Sequence, residues 1–118
     1  MKLRYEKCIN IMSDIMGYCH LKGCYDFNID FVLRHTESEI IIRAKMDKVS
    51  PDILENLNHV LNIPRQPEIE QYYWNIGGEE DIDDELSLAG MMIDKATVTY
   101  ENGILQICAL RYEASCEE

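Results

Sequence analysis

The sequence predicts an α+β fold: a two-layer sandwich with two strand hairpins in one antiparallel or mixed sheet and helices on one face. Three observations predict it. Residues 3–21 and 53–61 carry apolar side chains at three- and four-residue steps, the spacing of one helix face. Residues 26–46 and 96–110 alternate apolar and polar side chains and are rich in β-branched types, as half-buried strands are. The expected order is α-ββ-α-α-α-ββ, in which each hairpin is local and helices supply the covering layer.

The first helix presents Cys8, Ile11, Met12, Ile15, Tyr18 and Cys19 on one side and stops at Lys22-Gly23. In the first hairpin Phe27, Ile29, Phe31 and Leu33 alternate with polar residues. His35-Thr36-Glu37-Ser38 is expected to be its loop, and Ile40, Ile41 and Ile42 to begin the return strand. Ser50-Pro51-Asp52 is a helix start: Ser caps, Pro suits the first helical position, and Asp complements the dipole. Pro67 opens a further expected helix that Gly77-Gly78 closes. The acidic run of residues 79–85 leads to a last helix with Leu86, Ala89, Gly90 and Ile93 as its stripe. In the closing hairpin, Asn102-Gly103 is the turn, since both residues tolerate the positive φ angles of a type I′ turn.

The chain has 118 residues, 47% of them hydrophobic, enough for one core. One domain over residues 1–112 is expected, with 113–118 as a frayed tail. The net charge of −11 lacks the basic face that phosphate neutralisation needs, so no nucleic acid is expected, and no anionic membrane surface. A basic protein partner is compatible with it. The start MKLRYEKC is charged where a secretory signal needs an apolar run, and no apolar stretch is long enough to span a bilayer. A cytoplasmic protein is the expectation.

Five cysteines without paired spacing read as reduced thiols. Cys19-His20 and Cys24 fall short of a zinc pattern, so no metal site is expected. His20, His35 and His59 are scattered, and no nucleophilic triad assembles, so no catalytic residues are assigned. Tyr72, Tyr73 and Trp74 are adjacent and cannot all face one side of a helix. They are packing residues or the anchor for a protein partner or a second copy.

The order of elements and two local stretches resemble the GHKL superfamily, the ATP-binding fold of histidine kinases, anti-sigma serine kinases, gyrase-type ATPases and Hsp90 chaperones. The strand ending "RAKMD" resembles the family's strand that ends in an adenine-binding Asp, here Asp47. In "IMSDIMGY", Asp14 stands near the family's magnesium-ligating Asn. Residues 62–85 would correspond to the family's lid, "ELSLAGMMID" to its glycine-rich phosphate loop, and "ATVTYENGILQICALRY" to its closing strands. The resemblance implies ATP and magnesium as ligands.

The motifs are degenerate. "MDKVSP" has no glycine after Asp47 to let an adenine approach. "LSLAG" keeps only Gly90 near a loop whose exposed N–H groups must reach phosphates, and Leu86 and Leu88 would obstruct that approach. The acidic run would repel a triphosphate. Asp47 also reads as a turn-forming residue at a strand end, and Asp14 as a polar-face helix residue. The expectation is therefore a non-catalytic regulatory or interaction domain without a cofactor. The alternative is an ATP-binding kinase of the anti-sigma type using Asp47 and Asp14.

Overall fold

A computed structural model describes residues 2–63 and 89–113. In chain order these form α1 (Lys2–Leu21), β1 (Phe27–Leu33), β2 (Glu37–Lys45), α2 (Pro51–Leu61), β3 (Lys95–Glu101) and β4 (Ile104–Tyr112). The four strands make one antiparallel sheet in the order β1-β2-β4-β3. The two hairpins, separated by α2 and residues 62–94, meet at the central β2–β4 pair.

The register sets apolar side chains in rows across one face. Ile29, Ile42, Ile107 and Val98 face one another strand by strand, as do Phe31, Ile40, Ala109 and Ala96. Because side chains alternate across a strand, every second residue of β2 and β4 is buried and its neighbours are half-exposed, or exposed at the strand ends Lys45 and Tyr112. α1 lies over β2 and α2 over β3. The stripe expected on α1, from Cys8 to Cys19, is buried without exception, and α2 buries Leu57 and Leu61.

The helix ends follow the sequence. At the end of α1, Gly23 takes φ +108°, the Cys24 N–H donates to the Cys19 carbonyl (3.1 Å) and the Gly23 N–H to the His20 carbonyl (3.0 Å). That is the double hand-off of a Schellman stop. At the start of α2, the Ser50 hydroxyl accepts from the Ile53 N–H at 3.3 Å, with Pro51 in the first turn. Asn102 (φ 53°) and Gly103 (φ 78°) close the second hairpin as expected.

The first hairpin is tighter than the sequence suggests. Glu37 and Ser38 belong to β2, with Ser38 opposite Leu33, and the Arg34 N–H donates to the Glu37 carbonyl at 2.8 Å. Polar residues read as loop here because their partners lie far away in sequence. The helix expected at residues 67–76 lies outside the described residues. Of the helix expected at 86–93, residues 89 and 90 are described as helical and a turn follows.

α2 is pinned to the outer strand β3 by a side chain that imitates backbone. The Asn62 amide donates to the Ala96 carbonyl and accepts from the Ala96 N–H, both at 3.0 Å. A strand-like pair is thus made by one residue. Asn62→Ala should lower unfolding stability by about 1–2 kcal/mol in denaturant melts, and an unchanged midpoint would remove Asn62 from this role.

Candidate functional site

Asp47 lies two residues past the end of β2, after Met46, and is exposed. The residue before it is held firmly: the Met46 N–H donates to the Gly103 carbonyl (2.9 Å), and the Met46 carbonyl accepts from the Tyr100 hydroxyl (2.7 Å). From there the chain passes exposed Lys48 and buried Val49 to the Ser50 cap. Asp47 is therefore presented at a fixed point on the strand end. Its carboxylate bonds to no described residue. Asp14 sits half-exposed on α1, one residue before fully buried Ile15. Among the described residues, no three His, Cys, Asp or Glu side chains gather closely enough to hold a metal ion. Tyr72, Tyr73 and Trp74 lie outside the described residues.

Gly90 has a definite job. It is buried, and a Cβ built on it would lie 2.1 Å from the Val60 carbonyl oxygen and 3.1 Å from the carbon of the same group. Both are backbone atoms of α2, which cannot swing aside as a side chain can. Gly90 lets residues 89 and 90 approach the last turn of α2, where Ala89, Met92 and Ile93 are buried beside Leu61. Gly90 is used for packing between two segments. It does not line an open anion cradle, which needs outward N–H groups and free approach.

The thiols are packing groups too. Cys8, Cys19 and Cys24 are buried and unbridged, and Cys108 is half-buried. Burial, with the neighbouring Cys24, pushes the Cys19 thiol up to about 12, and such a thiol is a poor nucleophile and a poor metal ligand. His20 meets the Cys24 carbonyl through Nδ1 at 3.0 Å, as part of the helix stop.

No protein-family model and no curated protein matches the chain.

The sequence reading missed the most concentrated polar cluster among the described residues. Arg4 and Arg111, 4% and 3% exposed, converge on Ser38 and Glu113. Arg4 Nε donates to Ser38 Oγ (2.8 Å), and its Nη2 donates to the carbonyls of Arg34 and Glu37. Ser38 Oγ donates to Glu113 Oε2 (2.8 Å), which also accepts from Arg111 Nε (2.9 Å). Arg111 Nη1 reaches the Met92 carbonyl at 3.0 Å. Glu113, expected in a frayed tail, is further held by its N–H to the Thr36 carbonyl (2.8 Å). The signal was present in the pattern: Arg4, Ser38 and Arg111 occupy inward phases of α1, β2 and β4. A polar residue at a core phase with no local partner implies a distant one.

The cluster fastens the first turn of α1, the β1–β2 turn and the end of β4 to each other. The Ser38 hydroxyl, the Glu113 carboxylate and both guanidiniums bond to one another and to backbone carbonyls, which holds these parts together. Burial by itself would raise the Glu113 carboxyl. The hydrogen bonds and charge of Arg111, the Ser38 hydroxyl and the Arg4 charge outweigh burial and hold it below its ordinary value of 4.5. A depressed folded pKa gives stability that is complete above the unfolded value and lost as pH falls through the folded one. Glu113→Gln should cost about 3 kcal/mol at neutral pH, because it removes the buried negative charge beside Arg111 and Arg4 and weakens the bonds that Arg111 Nε and Ser38 Oγ donate to it. The gap to the parent should narrow below about pH 4.5. Parallel stability curves for the two proteins across that range would contradict this role for Glu113.

Proposed function

We propose that this chain is a non-catalytic regulatory or protein-interaction domain on a GHKL-like scaffold that has lost its nucleotide contacts. The observation that carries this reading is Gly90. In the stretch matching the family's phosphate loop, the remaining glycine is packed against the α2 backbone, where a Cβ would meet a carbonyl oxygen at 2.1 Å. The order helix, hairpin, helix and closing hairpin supports the scaffold, with two further helices proposed between α2 and β3 to complete the family's arrangement.

The absence of any glycine between Asp47 and Ser50 supports the loss of the adenine side. In this reading Tyr72, Tyr73 and Trp74 anchor a protein partner, and the acidic segment of residues 79–85 favours a basic one. One observation favours the alternative, an ATP-binding serine kinase of the anti-sigma type: the Asp47 carboxylate stands exposed at the end of β2, where the family places its adenine-binding Asp.

Calorimetric titration of the full chain with ATP and magnesium separates the two. The proposal expects no saturable heat up to about millimolar ATP, the weak end of specific binding. Micromolar binding that Asp47→Asn abolishes would overturn it and make Asp47 an adenine ligand.

A further inference from the structure

β1 is an outer strand of the sheet. The Lys45 N–H donates to the Asp26 carbonyl and the Arg34 N–H to the Glu37 carbonyl, which fixes the direction of the groups between them. In an antiparallel ladder these groups alternate. Asn28, Asp30 and Val32 therefore bond to β2, while Phe27, Ile29, Phe31 and Leu33 turn their N–H and C=O groups outward. Among the described residues nothing bonds to that outward row. The opposite outer strand, β3, has Asn62 as a partial partner.

The same four residues project onto the helix-covered face. Their cross-strand partners Ile40, Ile42 and Ala44 are buried, yet all four remain half-exposed, because α1 lies over β2. Beside them on α1, Tyr5 is 48% and Ile9 39% exposed, with the Tyr5 ring 6.0 Å from that of Phe31. Outer strands are normally guarded by Lys, Pro or an inward charge. Between Phe27 and Leu33 there is none of these, and the sole charge, Asp30, lies on the opposite face, bonded by Arg43 at 2.9 Å.

We propose that a second copy of this chain docks here. The two β1 strands pair antiparallel about a two-fold axis at Asp30, joining the two sheets into one.

Charge and side-chain matching select that register. Centring on Asp30 sets Phe27 opposite Leu33 and Ile29 opposite Phe31 of the second copy, so every inward residue of β1 meets an apolar one. It also sets Asp26 opposite Arg34 of the second copy, twice by symmetry, beside the bridges Arg34 makes to Glu37 (3.2 Å) and Glu39 (2.8 Å) of its own chain. Centring on Ile29 would instead place Arg34 opposite Cys24, and centring on Phe31 would place it opposite Asn28. The unfavourable element is Asp30 facing its own copy, and each Asp30 carboxylate is already paired with Arg43.

The helix layer fits as well. Two helices over β2 and its copy would lie three strand spacings apart, about 14 Å, against a helix diameter of about 10–12 Å. The gap is of a size for Tyr5 and Ile9 from each helix to fill, above the joined apolar rows. The inference is independent of whether a nucleotide is bound.

Light scattering on the full chain over a concentration series should give twice the 13.8 kDa chain mass. Phe31→Lys should halve that mass with an unchanged far-ultraviolet spectrum. Asp30→Cys, when oxidised, should give a disulfide-linked dimer in greater yield than the parent, because opposed non-hydrogen-bonded residues have Cα atoms about 4.5 Å apart, within disulfide reach. A single-chain mass at every concentration overturns the proposal, and so does a dimer that Phe31→Lys leaves intact. If Phe31→Lys fails to fold, Asp30→Cys decides, and its failure to cross-link overturns the Asp30-centred dimer.

Discussion

The pairing of β2 with β4 is the constraint on which the other placements rest. Each hairpin forms from neighbouring sequence, but a two-stranded ribbon alone is marginal in water. Burying Ile40, Ile42 and Ala44 beside Ala109, Ile107 and Leu105 joins the ribbons into one sheet with a continuous apolar face. That face gives α1 and α2 something to cover. A slip of one residue in this pair would turn each buried side chain to the other side. Ser38 opposite Arg111 marks the same register at its polar end.

From that frame follow the two tight places in the molecule. At one end, Arg4, Ser38, Arg111 and Glu113 close the sheet with a buried ionic cluster whose members come from the start, the middle and the end of the described chain. At the other, Tyr100, Met46 and Gly103 hold the strand ends from which Asp47 projects. Between α2 and β3, the Gly90 contact and the Asn62 amide bring the returning chain close against the last turn of α2. Packing there is dense backbone against backbone, a poor setting for a loop that must open to receive phosphates.

Much of the fold was legible because its signals are local. The α1 stripe, the Ser50-Pro51 start, the Lys22-Gly23 stop and the Asn102-Gly103 turn each depend on residues within one turn or one hairpin, and each stands as read. The first hairpin loop was read too long, because Ser38 looks like a turn residue until Arg4 and Glu113 are brought to it. Arg4 and Arg111 were passed over for the same reason: Arg4 meets Arg34, Glu37 and Ser38, 30 to 34 residues on, and Arg111 meets the Met92 carbonyl, 19 residues back. The candidate site was legible only as positions. Sequence ended the strand at Asp47, two residues beyond Lys45 where β2 stops, and put Gly90 in a helix, where residues 89 and 90 lie; the contact between Gly90 and Val60 joins segments about thirty residues apart, and no periodicity encodes it.

The central claim is that Gly90 serves packing and not a ligand loop. Thermal unfolding of Gly90→Ala, with and without ATP and magnesium, tests it most directly. A Cβ forced against the α2 backbone should cost about 2–3 kcal/mol, and added nucleotide should leave both melting curves where they were. A variant as stable as the parent, or a parent protein stabilised by nucleotide while Gly90→Ala is not, would contradict the claim and return Gly90 to a phosphate-binding loop.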